Sequence, residues 1–247
     1  MRLKVFSSGS AGNGYLLTSN RGDALIIEAG VSASIILREM KRDSVSGLIV
    51  SHAHGDHAGR LQEYLDMRIP THIHDESLHA LKKGVTGYFL PLFFEEEVPF
   101  KMGDYEILPF RLYHDTPCFG FLIRHPDMLG NLLFCTDTAK IPYTFEDVQN
   151  IMIEADYDEE ILRGNIENGK VNDYLGNRIR KTHYSIGQAI RFCKNRDLSK
   201  VRNIILIHLS KNNSSADSFR QRMIDTTGKP VYIAEPGLEI DIGNNPF

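Results

Sequence analysis

One short segment, Ser51-His52-Ala53-His54-Gly55-Asp56-His57, constrains this chain more than any other part of it. Four potential metal ligands fall within six consecutive residues, and imidazole together with carboxylate suits zinc and similar divalent metals. The apolar run at 47–50 predicts a buried strand before the segment, and residues 60–66 predict an amphipathic helix after it. We therefore place the segment in a loop at a strand's carboxyl end, the usual position of an α/β site. A solvated loop that is merely rich in histidine is the alternative, and so many ligands in one loop argue against it.

The segment resembles the His-x-His-x-Asp-His motif of the metallo-β-lactamase superfamily, which it matches in full. The resemblance spans essentially the whole chain. It implies an α/β protein with the four-layer αββα sandwich of that fold, built from two pseudo-equivalent halves. It also implies three later ligands, each directly after an apolar run that predicts a strand: His114, Asp137 and His208.

The same resemblance implies two divalent metal ions as cofactors, Zn or Mn. The family pattern gives the first metal His52, His54 and His114, gives the second Asp56, His57 and His208, and makes Asp137 the bridge. Two metals about 3.5–4 Å apart can clamp an in-line displacement at phosphorus.

Length and composition favour an ordinary globular chain. It has 247 residues, 42% of them apolar, and no Pro/Gly/Ser-rich linker, so we predict one domain over residues 1–247. No signal peptide is predicted, and no run approaches the roughly 20 apolar residues of a membrane helix. Three cysteines without Cys-x-x-Cys spacing do not indicate a disulfide framework. We therefore predict a cytoplasmic protein without a membrane partner. The net charge of −4 argues mildly against a large basic surface for nucleic acid.

Features beyond the metal ligands narrow the branch of the superfamily. Asp137 stands where a class of zinc lactamases has Cys, and His54 stands where flavo-diiron oxidoreductases have Glu. The stretches at 153–157 (Ile-Glu-Ala-Asp-Tyr) and 182–189 (Thr-His-Tyr-Ser-Ile-Gly-Gln-Ala) look like two stretches of tRNase Z in the same order.

Three further segments, at 7–13, 154–162 and 208–213, are similar to the YycJ/WalJ family, which is associated with exonuclease activity on DNA 5′ ends. The chain departs from that family at Thr182, where the family has Gly. Phage phosphodiesterases that destroy cyclic nucleotide signals share the scaffold, so the size of the substrate stays open.

The resemblance implies catalytic roles for Asp56, Glu154 and His183. Asp56 would orient a metal-bridging hydroxide, and His183, oriented by Glu154, would contact a phosphate oxygen or protonate the leaving alkoxide. Taken singly, Glu154 could be a solvated loop carboxylate and His183 a histidine at a helix end. Their order and their flanking residues favour catalysis.

A glycine-rich loop near the start of the chain carries candidate substrate contacts. Its backbone N–H groups could face a phosphate, which would place Ser7, Ser8 and Asn13 at the substrate. The equal alternative is a simple turn that connects two strands.

The predicted function is a dinuclear metal-dependent phosphodiester hydrolase, in its finer form a nuclease of the 5′-end DNA exonuclease type. The alternatives are a cyclic-nucleotide phosphodiesterase of the phage anti-defence type, a glyoxalase-type thioesterase and a catalytically silent, metal-stabilised binding module. A thioesterase would leave Glu154 and His183 without a role, and the complete ligand set argues against a silent module. The predicted partner is a phosphodiester substrate, nucleic acid or cyclic nucleotide, and the oligomeric state stays open, with a homodimer as one alternative.

Four local expectations can be compared directly with a structure. Ser32 is expected to cap a helix over 33–41, and a second helix is expected over 156–163. The aromatic segment 88–99 is either a lip near the site or a long loop with its aromatics in the core, and we favour the core. The basic residues between 178 and 200 are interpreted as the solvated face of a helix rather than a nucleic-acid rail.

Overall fold

The strands of the computed structural model form two seven-stranded mixed sheets, and the structure describes residues 1–243. The last four residues of the predicted domain lie outside that part of the chain. The first sheet contains β1 (Arg2–Ser7), β2 (Gly14–Thr18), β3 (Ala24–Ile27), β4 (Val45–Val50), β5 (Thr71–Ile73), β6 (Leu92–Phe93) and β14 (Glu239–Asp241). The second contains β7 (Phe100–Met102), β8 (Tyr105–Leu112), β9 (Cys118–Arg124), β10 (Asn131–Cys135), β11 (Val148–Glu154), β12 (Asn203–Ile207) and β13 (Val231–Ile233).

Helices cover the outer faces of the two sheets. Those of the first half are α1 (Ala33–Ile36), α2 (Gly55–Ala58), α3 (Leu61–Asp66) and α4 (Asp75–His79), with a 3₁₀ turn at Arg42–Ser44. Those of the second half are α5 (Glu159–Glu167), α6 (Asp173–Thr182), α7 (Ile186–Lys194) and α8 (Ala216–Thr227).

Three clusters of buried apolar side chains separate four layers. One joins the two sheets, with Val5 and Ile49 from the first sheet against Phe121 and Ile205 from the second. The other two lie between each sheet and its helices. Because side chains alternate along a strand, β4 serves two layers at once: Ile49 faces the other sheet while its neighbours pack under the helices. The predicted αββα sandwich is confirmed.

The order of strands follows the order of the chain, with one exception. The first sheet runs β14-β1-β2-β3-β4-β5-β6 and the second β13-β12-β11-β10-β9-β8-β7. The last strand, β14, therefore returns to the first sheet and pairs antiparallel with β1, so that Leu3 lies opposite Ile240. The single domain over 1–247 stays a prediction.

Two predicted helices have different limits in the structure. The helix expected over 33–41 ends at Ile36, and the Ser32 hydroxyl does not cap it but donates to Glu63 at 2.6 Å. The helix expected from residue 156 begins at Glu159 with Asp158 as its cap, because Asp156 and Tyr157 are buried and Tyr157 forms a bridge to Ser185. Helix α6 was not predicted at all, since most of its ten residues are polar and only three of its residues are buried.

No helix within residues 1–243 is long and apolar enough to cross a membrane.

Candidate metal centre

The predicted ligands meet at one edge where strands of both sheets end. The histidine-rich loop follows β4, His114 follows β8, Asp137 follows β10 and His208 follows β12. Since β10, β11 and β12 are parallel neighbours, their carboxyl ends lie side by side. The expectation that each ligand follows a strand therefore agrees with the strand bounds.

The first group of ligand atoms comes from His52, His54, His114 and Asp137, and all of them lie within 4.8 Å of one another. His114 Nε2 is 3.2 Å from His54 Nδ1. The Nε2 atoms of His52 and His114 lie 3.9 Å and 3.7 Å from Asp137 Oδ2.

The second group comes from Asp56, His57 and His208. Asp56 Oδ2 is 3.4 Å from His57 Nε2 and 3.2 Å from His208 Nε2. The other oxygen of Asp137, Oδ1, lies 3.3 Å and 3.7 Å from the same two nitrogens. Asp137 therefore directs one carboxylate oxygen to each group, which is the arrangement that a bridging ligand requires.

Backbone contacts hold the histidine-rich loop against the first sheet. The N–H of Asn13 donates to the Asp56 carbonyl, and the N–H of Ala29 donates to the His57 carbonyl, both at 2.7 Å. The approach is so close that a Cβ at Gly30 would lie 1.9 Å from the Asp56 carbonyl oxygen, so this position requires glycine. The conformation of the loop is thus fixed by its contacts with the first sheet.

Outer partners orient three of the histidines. His114 Nδ1 is hydrogen-bonded to the Thr182 carbonyl at 2.7 Å and His52 Nδ1 to the Ser51 hydroxyl at 2.8 Å, while His57 Nδ1 lies 3.2 Å from Glu28 Oε1 in a charge contact without hydrogen-bond geometry. In each case Nε2 is the nitrogen left facing the centre. Holding one imidazole nitrogen so that the other can ligate is the usual support of a metal-bound histidine.

These residues fit a pair of divalent metals. His52 Nε2 is buried and has no hydrogen-bond partner within residues 1–243, which is costly unless another group takes up its lone pair. Burial and the neighbouring His57 lower the pKa of His52 well below its usual range, which favours the neutral imidazole that a metal takes. Burial alone would raise the pKa of Asp137, but the imidazoles around it, His208 and His57 first, hold that pKa well below its usual range.

Glu154 and His183 form a pair beside the two groups. Glu154, the last residue of β11, is fully buried, and its Oε1 lies 2.6 Å from His183 Nδ1. Its Oε2 accepts hydrogen bonds from the N–H groups of Thr138 and Tyr184 at 2.8 Å and 3.0 Å. Burial lowers the pKa of His183, but the Glu154 carboxylate more than offsets it and raises that pKa to about 9. The imidazole is stacked on His208 with ring centres 5.6 Å apart.

Comparison with known proteins agrees with this fold. Residues 8–124 match the family model described as Metallo-beta-lactamase superfamily. The solved structure of YhfI from Bacillus subtilis, a metallo-beta-lactamase fold protein, has a TM-score of 0.72 at 19% identity and covers 97% of this chain and 98% of that one. This chain has the metallo-β-lactamase fold. The predicted fold is confirmed, while the family model matches less than half of the chain, so membership of the superfamily stays a prediction.

Two further structures share the fold over nearly their full length. Human tRNase Z, short form, has a TM-score of 0.66 at 16% identity, covering 99% of this chain and 100% of that one. A diphosphatase from the PhnP family has a TM-score of 0.66 at 13% identity, covering 97% of both chains. No curated protein matches the chain by sequence. At these identities the likeness concerns the fold alone, so similarity to the YycJ/WalJ family stays a prediction.

The glycine-rich loop of this metallo-β-lactamase fold mainly supports the centre. Asn13 is fully buried, and its side-chain amide donates to the Asp56 carbonyl at 3.2 Å, so its position favours holding Asp56 over contacting substrate. The Ser8 hydroxyl accepts the N–H of His208 at 2.8 Å and lies 2.8 Å from the Tyr15 hydroxyl. Ser7 ends β1 and is half-buried.

Sequence reasoning missed two carboxylates at the centre. Glu28 directly follows β3 and has a φ of 70°, and Asp115 accepts from Arg178 at 2.7 Å while its other oxygen lies 3.2 Å from His54 Nε2. The positive φ of Glu28 is a left-handed backbone conformation, and His208 has the same conformation, with a φ of 54°. Such a conformation costs about 1–3 kcal/mol for a residue other than glycine, so the surrounding contacts must impose it. The signal for Glu28 was its position at the end of a strand, and that for Asp115 was its place next to His114.

Two other expectations have opposite outcomes. Within 88–99 the core takes Phe94, but Tyr88, Phe89 and Phe93 are exposed, so the favoured core assignment was wrong for most of the segment. In the basic stretch, Arg178, Arg180 and Lys200 pair with carboxylates, which supports its interpretation as a solvated face.

The three cysteines are unpaired and buried, and Cys135 lies in the core, away from the ligand atoms.

Proposed function

We propose that the protein is a dinuclear metal-dependent phosphodiester hydrolase that acts on nucleic acid, in its finer form a 5′-end exonuclease of the YycJ/WalJ type. The observation that carries the proposal is the Glu154–His183 pair beside the two ligand groups. A metal-dependent thioesterase would need the ligands but has no use for this pair. The tRNase Z and diphosphatase structures on the same fold add support for phosphodiester chemistry.

His52, His54 and His114 would hold one metal and Asp56, His57 and His208 the other, with Asp137 shared. Two divalent metals there would supply an activated water and positive charge against the phosphate oxygens.

The protein's own residues account for positioning and proton transfer. Three side chains at the centre reach solvent: the ligands His54 and Asp56 are 30% and 20% exposed and His183 is 16% exposed, while the side chains of the remaining ligands are buried. Asp56 lies where it can orient an attacking water. Glu154 holds His183 Nδ1, so Nε2 is the atom that can donate a proton to a leaving alkoxide or to a phosphate oxygen. Location in the cytoplasm belongs to the same proposal.

A matched substrate panel tests the proposal. Metal-reconstituted protein is offered end-labelled DNA and RNA, cyclic nucleotides, bis(p-nitrophenyl) phosphate and a lactoyl thioester of glutathione. We expect cleavage of the diesters and none of the thioester, with shortening of DNA from its 5′ end. Turnover of the thioester without any diester hydrolysis, whichever metal is supplied, would overturn the function. Cleavage restricted to cyclic nucleotides would replace the nuclease by the smaller-substrate alternative.

A further inference from the structure

An unusual surface borders the histidine-rich loop. Residues 81–93, which we call the rim, connect α4 with the edge strand β6. Five large apolar side chains are exposed within six positions of it, with Tyr88 fully exposed, Leu90 64% exposed and Phe93 53% exposed; the other two are Phe89 and Leu92. Scattered apolar residues are normal on a surface, but such a concentration usually marks a binding site.

A cavity of about 330 Å³ lies between the rim and the histidine-rich loop. One wall includes Ala53 and Gly55, which alternate with the ligands His52, His54 and Asp56 along the chain. The other wall runs from Leu81 to Val85. The volume reaches the lower end of pockets that take small molecules, about 300–1,000 Å³. The floor at Gly55 is open, because a Cβ there would meet nothing within 4 Å.

Basic side chains line and flank this cavity. Lys82 and Lys83 belong to its wall, are exposed and have no ion-pair partner within residues 1–243. Arg68 is exposed and, in the same part of the chain, also lacks an ion pair; its guanidinium lies 4.8 Å from the ring centre of Phe89. At the far end of the rim the charge reverses, since Glu95 and Glu97 are exposed. The positive part of the surface is therefore the part that shares a cavity with the histidine-rich loop.

The rim is held in place relative to the histidine-rich loop. The Gln62 side chain donates to the Thr86 carbonyl and accepts the Thr86 N–H, both at 2.9 Å. Gln62 lies on α3, the helix that follows the loop. This pair of hydrogen bonds between side chain and backbone fixes the middle of an otherwise irregular segment.

We infer that the rim binds single-stranded nucleic acid on its way to the metal centre. The cavity takes the nucleoside next to the scissile phosphate, Lys82 and Lys83 take the following phosphate, and Tyr88 stacks on a base beyond it. Cations that follow the backbone, together with exposed aromatics on which bases stack, are what single-strand recognition uses. The inference rests on the proposed phosphodiester hydrolase, and it favours an oligonucleotide over a mononucleotide.

Binding is tested apart from catalysis, by fluorescence anisotropy of a labelled oligodeoxythymidylate with phosphorothioate linkages, added to the protein as purified. Tyr88→Ala removes the ring on which a base stacks, so its affinity for the oligonucleotide should fall by about five- to 150-fold. Tyr88→Phe keeps the ring and should bind with the original affinity. The matched control is Tyr174→Ala, because Tyr174 is 81% exposed on α6 and does not belong to the rim. Equal losses for Tyr88→Ala and Tyr174→Ala, or no loss for Tyr88→Ala, would overturn the inference.

The lysines are tested by the salt dependence of the same binding. In Lys82→Ala/Lys83→Ala, the slope of log affinity against log salt should fall by about 0.7 for each phosphate that the lysines no longer neutralise. Lys101→Ala/Lys170→Ala removes the same charge from two exposed lysines outside the cavity and should keep the slope. An unchanged slope in Lys82→Ala/Lys83→Ala would mean that these lysines do not contact a phosphate and would overturn this part of the inference.

The cavity is tested by comparing two substrates on one variant. Val85→Trp narrows the cavity and should lower kcat/KM for a thymidine dinucleotide at least tenfold while hydrolysis of bis(p-nitrophenyl) phosphate continues. Equal losses on both substrates would show damage to the metal centre and remove the cavity from the proposal.

Two results separate this inference from its alternatives. If the small diester is never hydrolysed while the rim variants weaken oligonucleotide binding, the hydrolase function fails and the binding surface stands. If Tyr88→Ala instead changes the elution volume on size exclusion and leaves oligonucleotide binding intact, the rim is an interface with a second copy of the chain.

Discussion

The wall that the first sheet contributes to the metal centre comes from a single loop, residues 51–57, whereas the wall from the second sheet comes from the ends of four strands. In the first wall the ligands are fixed by neighbours in sequence and by short backbone hydrogen bonds to Asn13 and Ala29. In the second, each side chain depends on the register between strands, antiparallel around His114 and parallel around Asp137, Glu154 and His208, for example Glu154 opposite Ile207. A change in the first wall should therefore act locally, and a change in the second should affect several groups together.

The largest effect is expected at Asp137, the carboxylate that directs one oxygen to each group. Asp137→Asn removes the negative charge between them, so metal content should fall from about two ions per chain to less than one. His52→Ala removes a ligand from one group only and should keep part of the metal. Elemental analysis after dialysis measures both. A full metal complement in Asp137→Asn would contradict its bridging position.

A large effect on rate without loss of metal is expected at His183. It is not a proposed ligand, so His183→Ala should keep both metals. Its kcat should fall by about 10²–10⁴-fold, because that is what a positioned general acid contributes. The defect should shrink for bis(p-nitrophenyl) phosphate, whose leaving group departs without a proton. Glu154→Gln should show a smaller defect of the same kind, because it only misorients the imidazole. Wild-type cleavage of DNA by His183→Ala would make it a structural histidine.

A smaller effect is expected at Glu28, which supports the first wall from outside. Its Oε1 lies 3.2 Å from His57 Nδ1, and loss of such an outer partner weakens metal affinity about 10–100-fold. Competition with a chelator measures this for Glu28→Gln. Glu63→Gln is the control, since Glu63 contacts Ser32 and Arg60 rather than a ligand. Equal affinities for the two variants would assign Glu28 to folding alone.

The success of sequence reasoning differs between these regions for physical reasons. A ligand-rich loop between a strand and a helix can be recognised locally, because its residues are adjacent and its flanks have clear periodicity. Helix α6 is harder to recognise, since most of its residues are polar and only Gly176, Ile179 and Thr182 are buried. The expected cap at Ser32 is absent because the Ser32 hydroxyl bonds to Glu63, thirty-one residues away, and not to its own helix.

The aromatic segment shows a different limit. Its composition predicts burial, because aromatic side chains gain most from leaving water. Yet β6 is an edge strand, so there is no further strand to pack beside it, and only Phe94 reaches the core between the sheets. Whether an apolar residue is covered depends on which element lies next to it, and that is settled by the order of strands.

By itself the sequence determined the chemistry of the centre: which donors are present, their order, and their place at the ends of apolar strands. Only the tertiary structure decided how they combine, because the distances that matter join residues far apart in the chain. The division of Asp137 between two groups, the 2.6 Å contact of Glu154 with His183 and the support of His57 by Glu28 all arise from the packing of two sheets. Local patterns predict strands and loops. Contacts between strand ends depend on which residues the strand register places opposite each other, and on the exclusion of water, which makes buried polar groups pair with one another.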